Sequence, residues 1–475
     1  MENKKITLAF VGCGRFADWF APLFKAHPYV EKIYYCDLLK EKAEDFHNRF
    51  GGEVIDTYEE VLSRDDIDCV MNFTQRHLHG KIVKQALNAG KHVFSAVPMA
   101  STVEECKEIV ELVKKTGLIY MMAETCYYYP CAMFCREAYE AGKFGKFTYG
   151  ASQYYHDIDS IGYGKDPKEG GMPPLLYPTH STSMILSAVN SYVKRVTCVG
   201  YKDQENDGRF GKGNNLWDNE YSNQYVFMEL ANGGVARVTE ARRIGWNKPS
   251  SYISALYGTR GGYEFSNAQH ILVERDFEYG EEEHVKLTDV SDRVNTRELT
   301  EHKQDENFME KVANGEWQWN SNAPVQDEEL KRLPEVFTKF PNGHMGSHKF
   351  LVDDFLKAVD QNKQPVLNAW RAARYTVPGL VAIESAKQGG IPLDLIASMM
   401  LYRDTGDEQY LDWFYTTAQY AEDHFADPEY GEWYGYLRRD GLPTMPSTKG
   451  STFKGPFHLP RCLIMLDQMM TELEK

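Results

Sequence analysis

Ile6-Thr7-Leu8-Ala9-Phe10-Val11-Gly12-Cys13-Gly14-Arg15-Phe16-Ala17 is the stretch that decides the fold. A mostly apolar run of strand length ends in a G-x-G-x-x-A turn. Residues 15–26 then read as a helix, residues 30–36 as a second strand, and Asp37 follows directly. Gly12 permits the tight turn, and Gly14 lets a pyrophosphate approach the backbone. Ala17 lets helix and strand pack closely, and the helix N-terminus offers unpaired N–H groups to the phosphates. Asp37 lies 37 − 14 = 23 residues after the second glycine, where a carboxylate accepts from a ribose 2′-hydroxyl. A carboxylate there repels a 2′-phosphate, so the predicted cofactor is NAD rather than NADP. Gly12, Gly14, Arg15, Phe16 and Asp37 are its first candidate ligands.

The alternation continues downstream. Residues 40–50 read as a helix, 69–74 as a strand, 79–89 as a helix stopped by Gly90, and 91–95 as a strand. Residues 102–116 read as a helix stopped by Gly117, and 118–123 as a strand. Strands alternating with helices predict a doubly wound parallel sheet, with ligands beyond the carboxyl ends of its strands. Thr74, Ala96-Val97-Pro98 and Glu124 stand at such ends.

Composition bounds the rest. A chain of 475 residues is too long for one ordinary core, so two or three domains are expected. Lys and Arg total 53 against 69 Asp and Glu, a net charge of −16. That balance argues against a nucleic-acid or anionic-membrane partner. No apolar run is long enough to span a bilayer, and no leader-like start is read, so a cytoplasmic protein is expected. The nine cysteines form no C-x-x-C pair. Their one local group, Cys126, Cys131 and Cys135, is read as reduced buried thiols, and no metal site is expected.

Several segments carry a resemblance: the turn at Gly12, then Thr74-Gln75-Arg76-His77-Leu78-His79, Ala89-Gly90-Lys91-His92-Val93 and Val97-Pro98. Together they resemble the glucose–fructose oxidoreductase / inositol dehydrogenase (Gfo/Idh/MocA) family over roughly residues 5–395. The resemblance implies a Rossmann domain followed by an α+β domain with an open, mostly antiparallel sheet covering a sugar site. It adds Thr74, Arg76, His79, Val97 and Glu124 to the expected cofactor residues. Two departures stand out. Dehydrogenases of the family usually place Glu-Lys-Pro where this chain has Ala96-Val97-Pro98, and Val97 has no titratable group. An aspartate often lies four residues before the family's site histidine, whereas Leu176 lies four before His180. Leu176-Tyr177-Pro178-Thr179-His180, Glu124-Thr125-Cys126-Tyr127 and Gly343-His344-Met345-Gly346-Ser347-His348 instead resemble the family's NAD-dependent glycosidases of α-N-acetylgalactosaminidase type.

In that branch NAD takes a hydride from a sugar carbon, a base removes the acidified neighbouring proton, the glycosidic group leaves, water adds and the hydride returns. His180 and Tyr177, three residues apart, are the expected catalytic pair, with Tyr127 as a third member. Tyr177 serves as acid or base if its pKa is depressed. His156 and Asp157, at the end of an aromatic strand, together with Arg242 and His344, are the expected substrate ligands.

Residues 400–475, with Lys454-Gly455-Pro456-Phe457-His458-Leu459-Pro460-Arg461, resemble the C-terminal end of the N-acylglucosamine 2-epimerase family, an α/α barrel. In that family the histidine matched by His458 is catalytic. So short a piece lacks the other barrel helices, so it is read as a non-catalytic helical extension. The expected domains are 1–125 (Rossmann), 126–397 (α+β) and 398–475 (extension). A sugar or glycoside substrate of N-acetylhexosaminide type, cleaved by transient hydride transfer with elimination and hydrolysis, and a homodimer or homotetramer complete the expectation. A net NAD-dependent sugar dehydrogenase or reductase, and a non-catalytic NAD-binding protein, stay open as alternatives.

Overall fold

The computed structural model describes residues 5–158, 170–245, 249–275, 285–297, 322–340 and 342–391. The extension and His458 lie outside them. The described chain up to Lys387 forms one compact unit.

β1 (Ile6–Val11) is buried along its whole length, as a strand covered on both faces must be. It is followed by α1 (Arg15–Ala26), β2 (Val30–Cys36), α2 (Lys40–Phe50), β3 (Glu53–Val54), α3 (Tyr58–Ser63) and β4 (Cys69–Asn72). Then come α4 (His79–Asn88), β5 (His92–Ser95), α5 (Val103–Thr116) and β6 (Tyr120–Met122). All six strands are parallel, in the order β3-β2-β1-β4-β5-β6. Strand order reverses between β1 and β4, which opens a crevice beyond their carboxyl ends. α5 shows why local sequence suffices here. Thr102 caps it by accepting from Glu105 N–H, and Gly117 ends it at a left-handed φ of 71°.

α6 (Pro130–Glu140) leads into the second sheet. Its strands are β7 (Phe147–Tyr155), β8 (Val193–Lys202), β9 (Tyr221–Leu230), β10 (Val235–Ala241), β11 (Ser251–Gly258), β12 (Gly261–Phe265), β13 (His270–Arg275) and β14 (Val285–Asp289). The order is β14-β13-β12-β11-β7-β10-β9-β8, and β7–β10 is its parallel pair. β9 alternates buried and exposed residues toward its end, so one face is covered and the other open. On the open face Val199, Tyr201, Tyr225 and Phe227 are exposed.

The covered face receives α7 (Thr179–Ala188), every residue of which is buried. Its hydroxyls therefore need partners inside the protein. Thr182 donates to the carbonyl of Tyr375 at 2.7 Å, and Ser183 to that of His180 at 3.2 Å. α8 (His348–Gln361) packs against α1, and α9 (Ala369–Lys387) packs against α5, α7 and β8, tying the two sheets into one body. Among the described residues, no helix is long and apolar enough to cross a membrane.

Candidate active site

A cleft of about 590 Å³ opens at the strand-order reversal. One wall comes from the first sheet: Arg15, Phe16 and Trp19 of α1, Phe73–Arg76 after β4, and Ala96 and Val97 after β5. The other wall holds Tyr154, His156, Tyr177 and His344.

The first wall fits a dinucleotide. Gly12 has φ 92°, and a Cβ on it would lie 2.7 Å from the backbone C and O of Phe73. Gly14 is the N-cap of α1 with no side-chain cap, and a Cβ there would meet nothing within 4 Å. Open space over an uncapped helix N-terminus is what a pyrophosphate needs. Asp37 accepts from Cys13 N–H at 2.7 Å and Leu39 N–H at 2.9 Å, which fixes its carboxylate beside the turn with lone pairs to spare. Thr74 donates to Asn72 Oδ1 at 2.7 Å, and Asn72 donates to Ser95, so the loops after β4 and β5 are held together.

These two glycines give opposite expectations. Gly12→Ala should cost about 1–3 kcal/mol for the left-handed backbone and a similar amount for overlap with Phe73, and should abolish NAD binding. Gly14→Ala should leave the melting temperature nearly unchanged and weaken NAD alone. Thermal melting and an NAD titration of both variants check this pair.

On the opposite wall three side chains form a chain of hydrogen bonds. Tyr177 Oη lies 2.8 Å from His180 Nε2, and His180 Nδ1 lies 2.7 Å from Glu124 Oε1. Glu124 Oε1 also accepts from Cys126 N–H at 2.8 Å, while Oε2 is buried with no partner among the described residues. A carboxylate at Nδ1 assigns that nitrogen the proton and leaves the Nε2 lone pair to accept the Tyr177 O–H. The Arg76 guanidinium lies 4.7 Å over the Tyr177 ring, and Tyr154 packs edge-on to both Tyr177 and His180.

Burial, with Tyr154 adding to it, holds the Tyr177 phenol well above its ordinary pKa, against the pull of Arg76. The depressed phenol that the sequence reading allowed is therefore corrected: burial favours the protonated phenol. Tyr177 also lies outside α7, after a 3-10 turn at Pro174–Leu176, and still reaches His180.

Other sequence-predicted residues fall in different places. His156 lines the cleft, stacked on Tyr154 at 5.1 Å. His344 lines it too, with Nδ1 2.7 Å from His348 Nε2 and φ of 46°. Met345 shares that left-handed backbone, with φ of 51°, at a cost of about 1–3 kcal/mol for each residue.

Glu124 does not line the cleft; from the end of β6 it brings a carboxylate to His180 Nδ1 at 2.7 Å. His79 lines the cleft, but its nitrogens face the carbonyls of Pro98 at 2.7 Å and Thr74 at 3.1 Å, so it braces two loops. Tyr127 is turned away by the 3-10 turn at Thr125–Tyr128. Its hydroxyl faces Arg371 at 3.4 Å, and it lines a second cavity. Arg242 is buried, with both terminal nitrogens on Glu240 Oε2 at 3.2 and 3.1 Å and one on the Pro174 carbonyl at 3.0 Å. It stands behind the Tyr154 ring, 5.1 Å away, and does not face the cleft. Asp157 is buried outside the cleft lining and accepts from Ile244 N–H at 3.4 Å.

Four cleft residues were not singled out as site candidates beforehand: Trp19, Phe73, Gln75 and Tyr154. The signal for Tyr154 was its i, i+2 relation to His156 along one strand end.

Glu124, Cys126 and His180 bring one ligand atom each within 4.8 Å, and all three are buried. Zinc bonds of about 2.0–2.3 Å put tetrahedral ligand atoms roughly 3.3–3.8 Å apart, so this trio is loose for a metal. The eight described cysteines are free and buried.

Four histidines here are held below their ordinary value of 6.5. Burial lowers His79 to about 4, His344 to about 3 and His348 well below; burial with Arg242 and Arg76 lowers His156 to about 2. The unfolded chain then binds protons that the folded chain refuses. Stability is complete above about pH 6.5 and falls as the pH drops toward the folded values, by about 1.4 kcal/mol per pH unit for each histidine. Melting temperature should therefore decline steeply from pH 6.5 to about pH 4, and His156→Gln should flatten the decline.

Residues 6–124 match the family model described as an oxidoreductase family with an NAD-binding Rossmann fold, Gfo/Idh/MocA. Residues 6–124 are thus similar to the Gfo/Idh/MocA oxidoreductases. The chain is 24% identical over 427 residues to a glycosyl hydrolase family 109 protein of Streptomyces filamentosus, covering 83% of this chain and 77% of that protein. A second such protein, of Saccharopolyspora erythraea, is 23% identical over 82% of this chain and 83% of its own length. Levoglucosan dehydrogenase, solved with NADH and levoglucosan, shares the fold with a TM-score of 0.60 at 18% identity, covering 81% of this chain and 98% of that one.

Residues 394–458 match the N-acylglucosamine 2-epimerase family. The Bos taurus N-acylglucosamine 2-epimerase is 51% identical over 79 residues, 17% of this chain. The matched piece spans 18% of that epimerase's length. Both resemblances expected from sequence are thus borne out, and the chain is an NAD-dependent, oxidoreductase-type enzyme.

Proposed function

We propose that this enzyme cleaves a glycoside, of N-acetylhexosaminide type, by transient oxidation of the sugar with no net redox change. The observation that carries the reading is Tyr177, backed by His180 and Glu124 through hydrogen bonds, lining the same cleft as Val97. When bound, NAD supplies a hydride acceptor and donor for one sugar carbon.

The protein's own residues then handle the proton. As a sugar hydroxyl gives its proton to Tyr177 Oη, Tyr177 passes its own to His180 Nε2, and Glu124 stabilises the resulting imidazolium. No phenolate need form, which suits a phenol held above its ordinary pKa. Val97 brings no titratable group to this step, so the relay replaces the family's lysine. His156 and His344, held neutral, can donate to or accept from sugar hydroxyls, and Trp19, 43% exposed at the cleft, offers a ring for the sugar's apolar face.

The glycosyl hydrolase relatives support cleavage over net oxidation. The N-acetylhexosaminide assignment rests on the epimerase-like piece. The reading includes a homodimer or homotetramer and a cytoplasmic location, with domain limits at 125 and 397.

Aryl N-acetylhexosaminides, incubated with and without added NAD, test it. Aglycone release without accumulating NADH absorbance is expected. Stoichiometric NADH with no aglycone would establish a net dehydrogenase instead.

A further inference from the structure

We infer that the second cavity, beside Tyr127, binds a small oxyanion, a phosphate or carboxylate group on a compact organic body. The cavity measures about 390 Å³ and is separate from the cleft. Its wall carries four cations and two acids. Both acids are already engaged: Arg332 holds Glu329 at 2.7 Å and Asp354 at 2.8 Å. Lys357 is bound to Asp353 at 2.8 Å.

Arg136 and Lys363 are left over. Among the described residues neither has a carboxylate within ion-pair distance, on a chain whose net charge is −16. Arg136 lies flat over the Tyr127 ring at 4.2 Å and reaches the Tyr127 carbonyl by two long contacts of 3.4 Å. A guanidinium has five donors in a fixed fork, and one distant carbonyl cannot satisfy them. Arg371, also without an acid partner among the described residues, donates to the Tyr127 hydroxyl at 3.4 Å. The Tyr127 ring thus engages both guanidinium groups, at 4.2 and 5.7 Å, and neutralises neither; of the two, Arg136 lines the cavity. Oxyanions match such forks through paired charge-assisted hydrogen bonds. A cavity of this size admits a small organic anion but no polymer.

The test uses the full chain saturated with NAD, so that the other anion-binding place, the N-terminus of α1, is filled. Calorimetric titration with inorganic phosphate should show a Kd on the order of 1 mM, the strength of a few charge-assisted hydrogen bonds. Titration with acetate asks which oxyanion fits, and tighter binding of either names the group. Arg136→Gln should weaken binding at least about tenfold. Lys363→Ala, at an exposed site that cannot unfold the chain, should weaken it less. Unliganded melting temperatures check that both variants fold. The inference is overturned if neither ion binds the NAD-saturated chain, or if Arg136→Gln and Lys363→Ala both bind as wild type.

Discussion

His180→Ala is expected to lower kcat about 10²–10⁴-fold, the usual contribution of a positioned general base, with little change in KM. The side chain is buried and held at both nitrogens, by Tyr177 at 2.8 Å and Glu124 at 2.7 Å. It does not line the cleft, so its loss removes the proton's destination without removing a substrate contact. The truncation also leaves Glu124 as a buried carboxylate with neither oxygen on a side chain, and the variant should melt lower by several degrees. His180→Gln keeps a polar group in the space and separates the two effects: it should restore melting and leave kcat low. Aglycone release at saturating substrate, beside a melting curve, reads both.

Glu124→Gln is the second large effect, on the order of 10³-fold in kcat. Gln has nearly the shape of Glu, and its carbonyl oxygen can still accept from both His180 Nδ1–H and Cys126 N–H. It is neutral, however, so an imidazolium formed at His180 loses its counter-charge. KM should hardly move, because Glu124 is not among the residues that line the cleft. Stability should hold or rise, since the substitution removes a buried charge whose Oε2 has no partner among the described residues. Glu124→Asp keeps the charge and should recover part of the rate. A merely structural Glu124 would show the reverse pattern, with melting lost and kcat kept.

The first sheet was legible because each of its signals is local. A glycine turn, a cap at Thr102 and a stop at Gly117 lie within a few residues of what they control. β3, of two residues, and α3, of six, carry too little periodicity to be read and were missed. Much of the second sheet was not read: β7 at its centre finds its partners β10 and β11 far along the chain, beyond the reach of local pattern.

The site divides in the same way. Tyr177 and His180 were found together because they are neighbours in sequence. Glu124 was placed with the cofactor because its real partner lies 56 residues away, and no spacing rule reaches that far. Tyr127 was misassigned because one 3-10 turn sends it away from the Glu124 side chain three residues before it. Arg242 had a readable signal: Glu240, two residues earlier on β10, stands on the same strand face and takes its charge.

The central claim is that Tyr177 and His180 act as one proton relay in the cleft. A double-mutant cycle of Tyr177→Phe, His180→Gln and the combined variant, read as aglycone release from an aryl N-acetylhexosaminide, tests it most directly. If the two act as a unit, the combined variant is no slower than the worse single variant. Losses that multiply, or either single variant turning over at the wild-type rate, would contradict it.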